Sequence, residues 1–143
     1  MNSDNDILKW SQPWMFPSKH PLMMEKFDFL DHENRHTTWN VDEAKAIIRT
    51  TKPRQIHLIP WSNIKETIEK GDDALLLDVD KDLAMRSDLK LPVIMVPYHH
   101  DMSTQIMIDG SHRLWKAYKT GSYLLCVFLT LEESKECMTT TTT

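Results

Sequence analysis

The sequence predicts an α/β (α+β) fold: one small domain with a mixed sheet and helices packed around it. Three observations carry that reading. Strand-like apolar runs alternate with helix-like amphipathic stretches after Asn40. Proline, glycine and Asx residues stand between those runs, where turns and caps belong. The chain has 143 residues, 41% hydrophobic and 27% charged, enough for one domain with a real core, and no linker divides it. The expected divisions are an N-terminal arm over 1–38, the domain over 39–131 and a flexible C-terminal tail over 132–143.

The arm is punctuated by Pro13, Pro17 and Pro21. It holds Trp10, Trp14, Phe16 and several methionines, too many large apolar groups for a disordered tail. A segment that wraps the domain, or docks on a protein partner, fits this composition. Phe27, Phe29 and Leu30 suggest a short strand or turn, and His32 to His36 a polar, solvated loop. Asn40 and Glu43 stand as cap and N3 residue of a helix whose apolar stripe is Val41, Ala44, Ile47 and Ile48, with Pro53 past its end. Gln55 to Pro60 reads as a strand in which His57 is structural. Ser62 is the expected cap of a short helix bearing Ile64 and Ile68 and stopped by Gly71.

Asp72 to Asp82 is ambiguous: its apolar run fits a strand or a buried helix segment, while a solvated acidic turn is the favoured reading. Asp78, Asp80 and Asp82 alternate like the start of a calcium loop, but its glycine and distal glutamate are missing. A short helix is expected over 85–89. Leu91 to Pro97 reads as a buried strand bracketed by prolines. Tyr98 to Thr104 reads as a polar connection with His99 and His100 exposed, and Gln105 to Ile108 as the returning arm. Leu114, Ala117 and Tyr118 share one face of the next helix, which ends at Gly121. Tyr123 to Leu129 is the last strand, with Cys126 a buried core residue and Cys137 near a loose tail whose terminal threonines fray.

The stretch on which the chain turns is Asp109-Gly110-Ser111-His112-Arg113, where a strand ends and a helix begins. Asp109-Gly110 is a turn dipeptide and Ser111 an expected helix N-cap. Unsatisfied backbone N–H groups and the positive end of a helix dipole meet there, which suits an anion, phosphate above all. Arg113 is expected to grip phosphate oxygens as a fork, with Gly110, Ser111 and His112 completing the cradle. Asp109 and His112 are the expected catalytic groups: His112 as a proton carrier, and Asp109, by its resemblance to the aspartate of a serine-kinase motif, as a base or metal holder. The plainer roles are an Asx turn for Asp109, a cap for Ser111, and backbone carbonyls as partners for Arg113.

This motif, between an apolar strand and an amphipathic helix ending in Gly121, resembles the signature of the ParB/sulfiredoxin superfamily. The resemblance is best over 91–129 and reaches back weakly to Gln55–Pro60. It implies a ParB/sulfiredoxin-like fold and ATP or another nucleotide as ligand, with Mg2+ as a companion ion. It further implies phosphoryl transfer or nucleotide hydrolysis in the manner of the superfamily's free-serine kinase. The alternatives it carries are a nucleotide-responsive, DNA-associated regulator like the partition-protein domain, and a non-enzymatic interaction module on the same scaffold. Sulfiredoxin chemistry is not expected, because Ser111 stands where that enzyme's catalytic cysteine would be and the step needs a thiolate.

A formal net charge of −4 and a pI of about 5.9 leave no broad basic footprint for duplex DNA. No apolar run is long enough to span a bilayer. The polar, acidic first residues are unlike a signal peptide, so a reduced cytoplasmic setting without membrane partners is expected. Neither a CxxC pair nor an HExxH motif is present, so a standard zinc site is not expected.

Overall fold

Two β-sheets organise the described residues. The structure is a computed structural model, and it describes residues 25–50, 54–70 and 79–142. In chain order the elements are β1 (Lys26–Leu30), β2 (Arg35–Asn40), helix α1 (Val41–Thr50), β3 (His57–Ile59), α2 (Trp61–Glu69), α3 (Lys81–Met85), β4 (Val93–Tyr98), β5 (Asp101–Asp109), α4 (Ser111–Thr120), β6 (Leu124–Phe128), α5 (Leu131–Glu136) and β7 (Met138–Thr142). The α+β class is as the sequence predicts. The larger sheet is mixed, in the order β3-β6-β4-β5, with β4 parallel to β6 and the other pairs antiparallel. The smaller sheet is antiparallel, in the order β1-β2-β7.

That second sheet corrects the expected divisions. Residues 1–24 of the arm lie outside the described residues, but its last part is no arm. Residues 26–40 form a hairpin, and β2 runs straight across the expected boundary at 38/39. The flexible tail expected over 132–143 is also structured. Thr130 and Glu133 form a reciprocal capping box on α5, and β7 then pairs with β2 from Met138 opposite Trp39 to Thr142 opposite Arg35. Threonines are β-branched and suit a pleated strand, so a polar run that looks frayed in isolation acquires order from its partner. Cys137 is accordingly buried, and burial together with Glu43, Glu136 and Glu133 pushes its thiol up to about 11.

Helix starts follow local chemistry more closely than the sequence pattern suggests. Asn40 does cap α1, its Oδ1 accepting the Glu43 N–H at 3.0 Å, and Val41, Ala44 and Ile48 are buried. Ser62 does not cap α2. Pro60 holds the cap position, in extended backbone, because it cannot continue the ladder of β3; Ile64 and Ile68 face inward as expected. Asp80 caps α3, accepting from the N–H groups of Asp82 and Leu83 at 3.0 and 3.2 Å. The helix expected over 85–89 therefore occupies 81–85 instead. Pro53, Gly71 and the acidic run from Asp72 to Asp78 lie outside the described residues.

The polar connection expected over 98–104 is mostly strand. β4 and β5 are joined at His99–His100, and β5 starts at Asp101. Pro97 lies inside β4 rather than bounding it. It is tolerated because the parallel partner β6 pairs only with Val93 to Met95 and the β5 register shifts between Pro97 and Tyr98.

The two faces of the mixed sheet bury separate cores. Met107 joins Val93, Leu114, Ala117, Leu124 and Cys126 under α2 and α4. Burial pushes the Cys126 thiol up to about 12, as suits an inert core residue. Ile106 and Ile108 face the other way, toward Trp39, Ile94, Val96 and Val127, where the two sheets meet. Trp39 is fully buried, and its Nε1–H donates to Ser134 Oγ at 3.0 Å; Ser134 in turn donates to the Pro97 carbonyl at 3.2 Å. One hydrogen-bonded chain thus links β2, α5 and β4. Because β7 is part of this assembly, deleting residues 138–143 is expected to lower the unfolding free energy by about 2–4 kcal/mol, several backbone hydrogen bonds at about 0.5–1.5 kcal/mol each. Urea unfolding measures this, and an unchanged midpoint would mean that β7 is dispensable.

Candidate functional site

Gly110 sets the geometry of the strand–helix junction. Its φ is 121°, outside the range that side-chain-bearing residues favour. A Cβ built there would also collide with the Val93 side chain in the neighbouring strand. A glycine therefore lets the end of β5 lie flush on β4 and turn directly into α4. Gly110, not Ser111, is the N-cap; its carbonyl accepts the Leu114 N–H at 2.9 Å, and among the described residues no side chain caps the helix. Ser111 is the first helical residue. At the other end Gly121 is left-handed, with φ 70°, and closes the helix as expected. Leu114 and Ala117 are buried and Tyr118 packs beside them.

Arg113 faces inward. It is 7% exposed, and its Nη1 donates to the carbonyls of Leu91 and Pro92 at 3.0 and 2.9 Å. Its Nη2 donates to Asp109 Oδ2 at 2.8 Å, with only about a tenth of either side chain in water. The expected fork on a phosphate is thus replaced by a clamp on the chain's own backbone. The physical reason is the helix phase: the residue three positions after Gly110 turns back under the sheet, where two carbonyls before β4 have no strand partner and need donors. Asp109 is the counter-ion of that clamp, which bears on its expected role as a free base.

Two groups of the motif face outward. The Ser111 hydroxyl is half-exposed and has no hydrogen-bond partner among the described residues. The His112 Nε2 accepts the Asp80 N–H at 3.2 Å, so that nitrogen carries a lone pair and the ring proton sits on Nδ1. His112 thereby ties the start of α3 to the start of α4. Asp80 was legible only as part of an acidic turn; its role as the neighbour of His112 has no signal in local spacing, since 32 positions separate the two. The same holds for Leu91 and Pro92, which contribute only their carbonyls.

The remaining histidines are dispersed. His57 is exposed on the edge strand, with its ring edge-on to Phe128 at 5.1 Å. His36 Nε2 lies 3.4 Å from Asp28 Oδ1. His100 is exposed as expected, whereas His99 is half-buried. Among the described residues no group of three or more His, Cys, Asp or Glu side chains is placed to hold a metal ion, and no helix is long and apolar enough to cross a membrane. Compared with protein-family models, with curated proteins and with solved structures, the chain gives no match.

The clamp has a measurable consequence. Arg113→Ala leaves Asp109 and two carbonyls without their donor and is expected to destabilise the fold by about 3–5 kcal/mol. Lysine should restore only part of this, since it lacks the planar fork. Gly110→Ala should cost at least about 1–3 kcal/mol from backbone strain alone. Thermal unfolding of the three variants decides; an Arg113→Ala protein as stable as wild type would mean that the guanidinium is not buried as described.

Proposed function

We propose that the protein binds a phosphate ester, a nucleotide such as ATP in the first instance, at the N-terminal turn of α4. The observation that carries this reading is a helix start that no side chain caps among the described residues, and whose first residue offers a hydroxyl with no partner among them. The backbone N–H groups of Ser111, His112 and Arg113 supply the donors. Ser111 Oγ adds a fourth, and Lys81, exposed next to Asp80, lies on the segment that His112 holds against the helix. Gly110, the N-cap, sets the turn that presents these donors. Arg113 and Asp109 stiffen the turn from beneath, so that the donors are pointed before a ligand arrives. The ParB/sulfiredoxin resemblance of Asp109 to Arg113 supports the same ligand class.

Phosphoryl transfer or nucleotide hydrolysis is the finer proposal. His112 is its first agent, since Nε2 needs only to release one backbone N–H to exchange a proton with a bound substrate. Asp109 acts through the second carboxylate oxygen, the one that Arg113 leaves unused. A magnesium ion would enter on the nucleotide's own phosphates, where it spreads their charge, because no protein-built set of three ligands is present among the described residues.

One substitution separates anion binding from a merely structural turn. Ser111→Asp puts a carboxylate on the helix start. It should stabilise the free protein by about 0.3–1 kcal/mol through the helix dipole while weakening nucleotide binding at least tenfold. The measurement is thermal unfolding with and without ATP, ADP, CTP and inorganic phosphate. If none of these raises the wild-type Tm, the binding site is refuted. If they bind but magnesium-dependent turnover is absent, or survives unchanged in His112→Gln and Asp109→Asn, the enzymatic reading falls and the binding reading stands.

A further inference from the structure

Two tight turns meet at the junction of the two sheets, far in sequence from the α4 turn. The first joins β1 to β2: the Asp31 N–H donates to the Arg35 carbonyl at 3.0 Å, the Asn34 N–H to the Asp31 carbonyl at 3.1 Å, and Asn34 takes a left-handed φ of 63°. The second is His99–His100, between β4 and β5. Tyr98 joins them. Its hydroxyl donates to Asp31 Oδ2 at 2.7 Å, while its ring lies edge-on to Phe29 at 5.3 Å and to Trp39 at 6.2 Å. Asp31 also accepts from Arg35 Nε at 2.8 Å and from the N–H groups of Glu33 and Arg35 at 2.9 Å. Desolvation opposes its ionised form, but the Tyr98, Arg35 and Glu33 donors outweigh it and hold the carboxyl far below the usual range.

His99 is the ill-matched member of this junction. Its Nδ1 is buried and has no hydrogen-bond partner among the described residues. Its ring packs on that of His100 with 3.7 Å between centroids. The charges that face it are His100 in the same turn, Lys135 on α5 and Arg35 on β2, cations or groups that become cations. The anions nearby are committed elsewhere. Asp31 is taken by Tyr98 and Arg35, and Asp101 accepts from Ser103 and Thr104 at 2.6 and 2.7 Å. Burial first, then those three neighbours, push the His99 pKa below the ordinary 6.5.

We infer that the His99–His100 turn is a proton-sensitive catch: protonation of His99 drives the turn toward water and loosens the Tyr98–Asp31 tie between the two sheets. The folded state prefers neutral His99, so its contribution is complete above pH 6.5. As the pH falls below 6.5 the open form takes up the proton first, and stability declines until the folded pKa is reached. Asp31 is shifted in the same direction, but there the fold favours the charged form, and its contribution is lost only as the pH falls toward and below the ordinary 3.8. Between those values the two sheets are therefore loosened by His99 alone of this pair.

The test is made on the full chain. Histidine ring resonances are followed by NMR across about pH 8 to pH 5, and urea unfolding is measured over the same range for wild type, His99→Gln and the surface control His57→Gln. His99 should titrate below 6.5, and each unit of depression should lower the folding equilibrium constant about tenfold at the acid end. The pH slope should persist in His57→Gln and flatten in His99→Gln, with amide exchange at 29–37 and 96–103 accelerating in wild type and His57→Gln but not in His99→Gln. A His99 resonance that titrates at or above 6.5, or an undiminished slope in His99→Gln, overturns the proposal. Should His99→Gln fail to fold, the wild-type titration decides by itself.

Discussion

The buried guanidinium of Arg113 is the constraint from which the candidate site follows. A permanent charge taken out of water must find acceptors in nearly fixed directions. It finds them in Asp109, at the end of β5, and in the carbonyls of Leu91 and Pro92, just before β4. The clamp therefore fastens the start of α4 to two strands of the mixed sheet at once. Gly110 is the complement of that clamp, since its close approach to Val93 brings the helix near enough for the arginine to reach. Together they fix the direction in which the helix start leaves the sheet.

The sequence exposed the local grammar and concealed the long-range pairings. The α+β class, the apolar faces of α1, α2 and α4, the cap at Asn40, the stop at Gly121 and the two-faced alternation of Ile106, Met107 and Ile108 are properties of short windows. The second sheet is not such a property. β7 looks like a polar tail until β2 is beside it, and β2 looks like a solvated loop until β7 covers its open edge. The reading of Arg113 failed for a related reason. A cation after a glycine turn suits a phosphate and a backbone carbonyl equally well, and only the position of residues 91 and 92 chooses between them.

The motif residues thus fall into two layers. Asp109 and Arg113 are the under-layer, with their hydrogen-bonding capacity directed at the protein itself. Ser111 and His112 are the outer layer: among the described residues the Ser111 hydroxyl has no partner and His112 is held by one contact, to Asp80. The under-layer fixes the position of the outer one. The same economy explains why serine suffices at the first helical position, where Gly110 already fulfils the role of cap.

The pairing of β2 with β7 bears on the order in which the molecule is built. Thr37 and Thr140, whose hydroxyls lie 3.3 Å apart across that pairing, are separated by 103 positions. The β1–β2 hairpin emerges from the ribosome early, and a two-stranded ribbon in isolation is marginal in water. During synthesis it must wait for almost the whole domain to follow before its inner edge is covered. Contacts that close so long a loop are slow to form, so the smaller sheet is the last part to mature and the stretch most open to chaperones or mispairing in the interval. In the mixed sheet the β4–β5 hairpin and the β5–α4 turn are local, and only β3 must wait for a distant partner, β6.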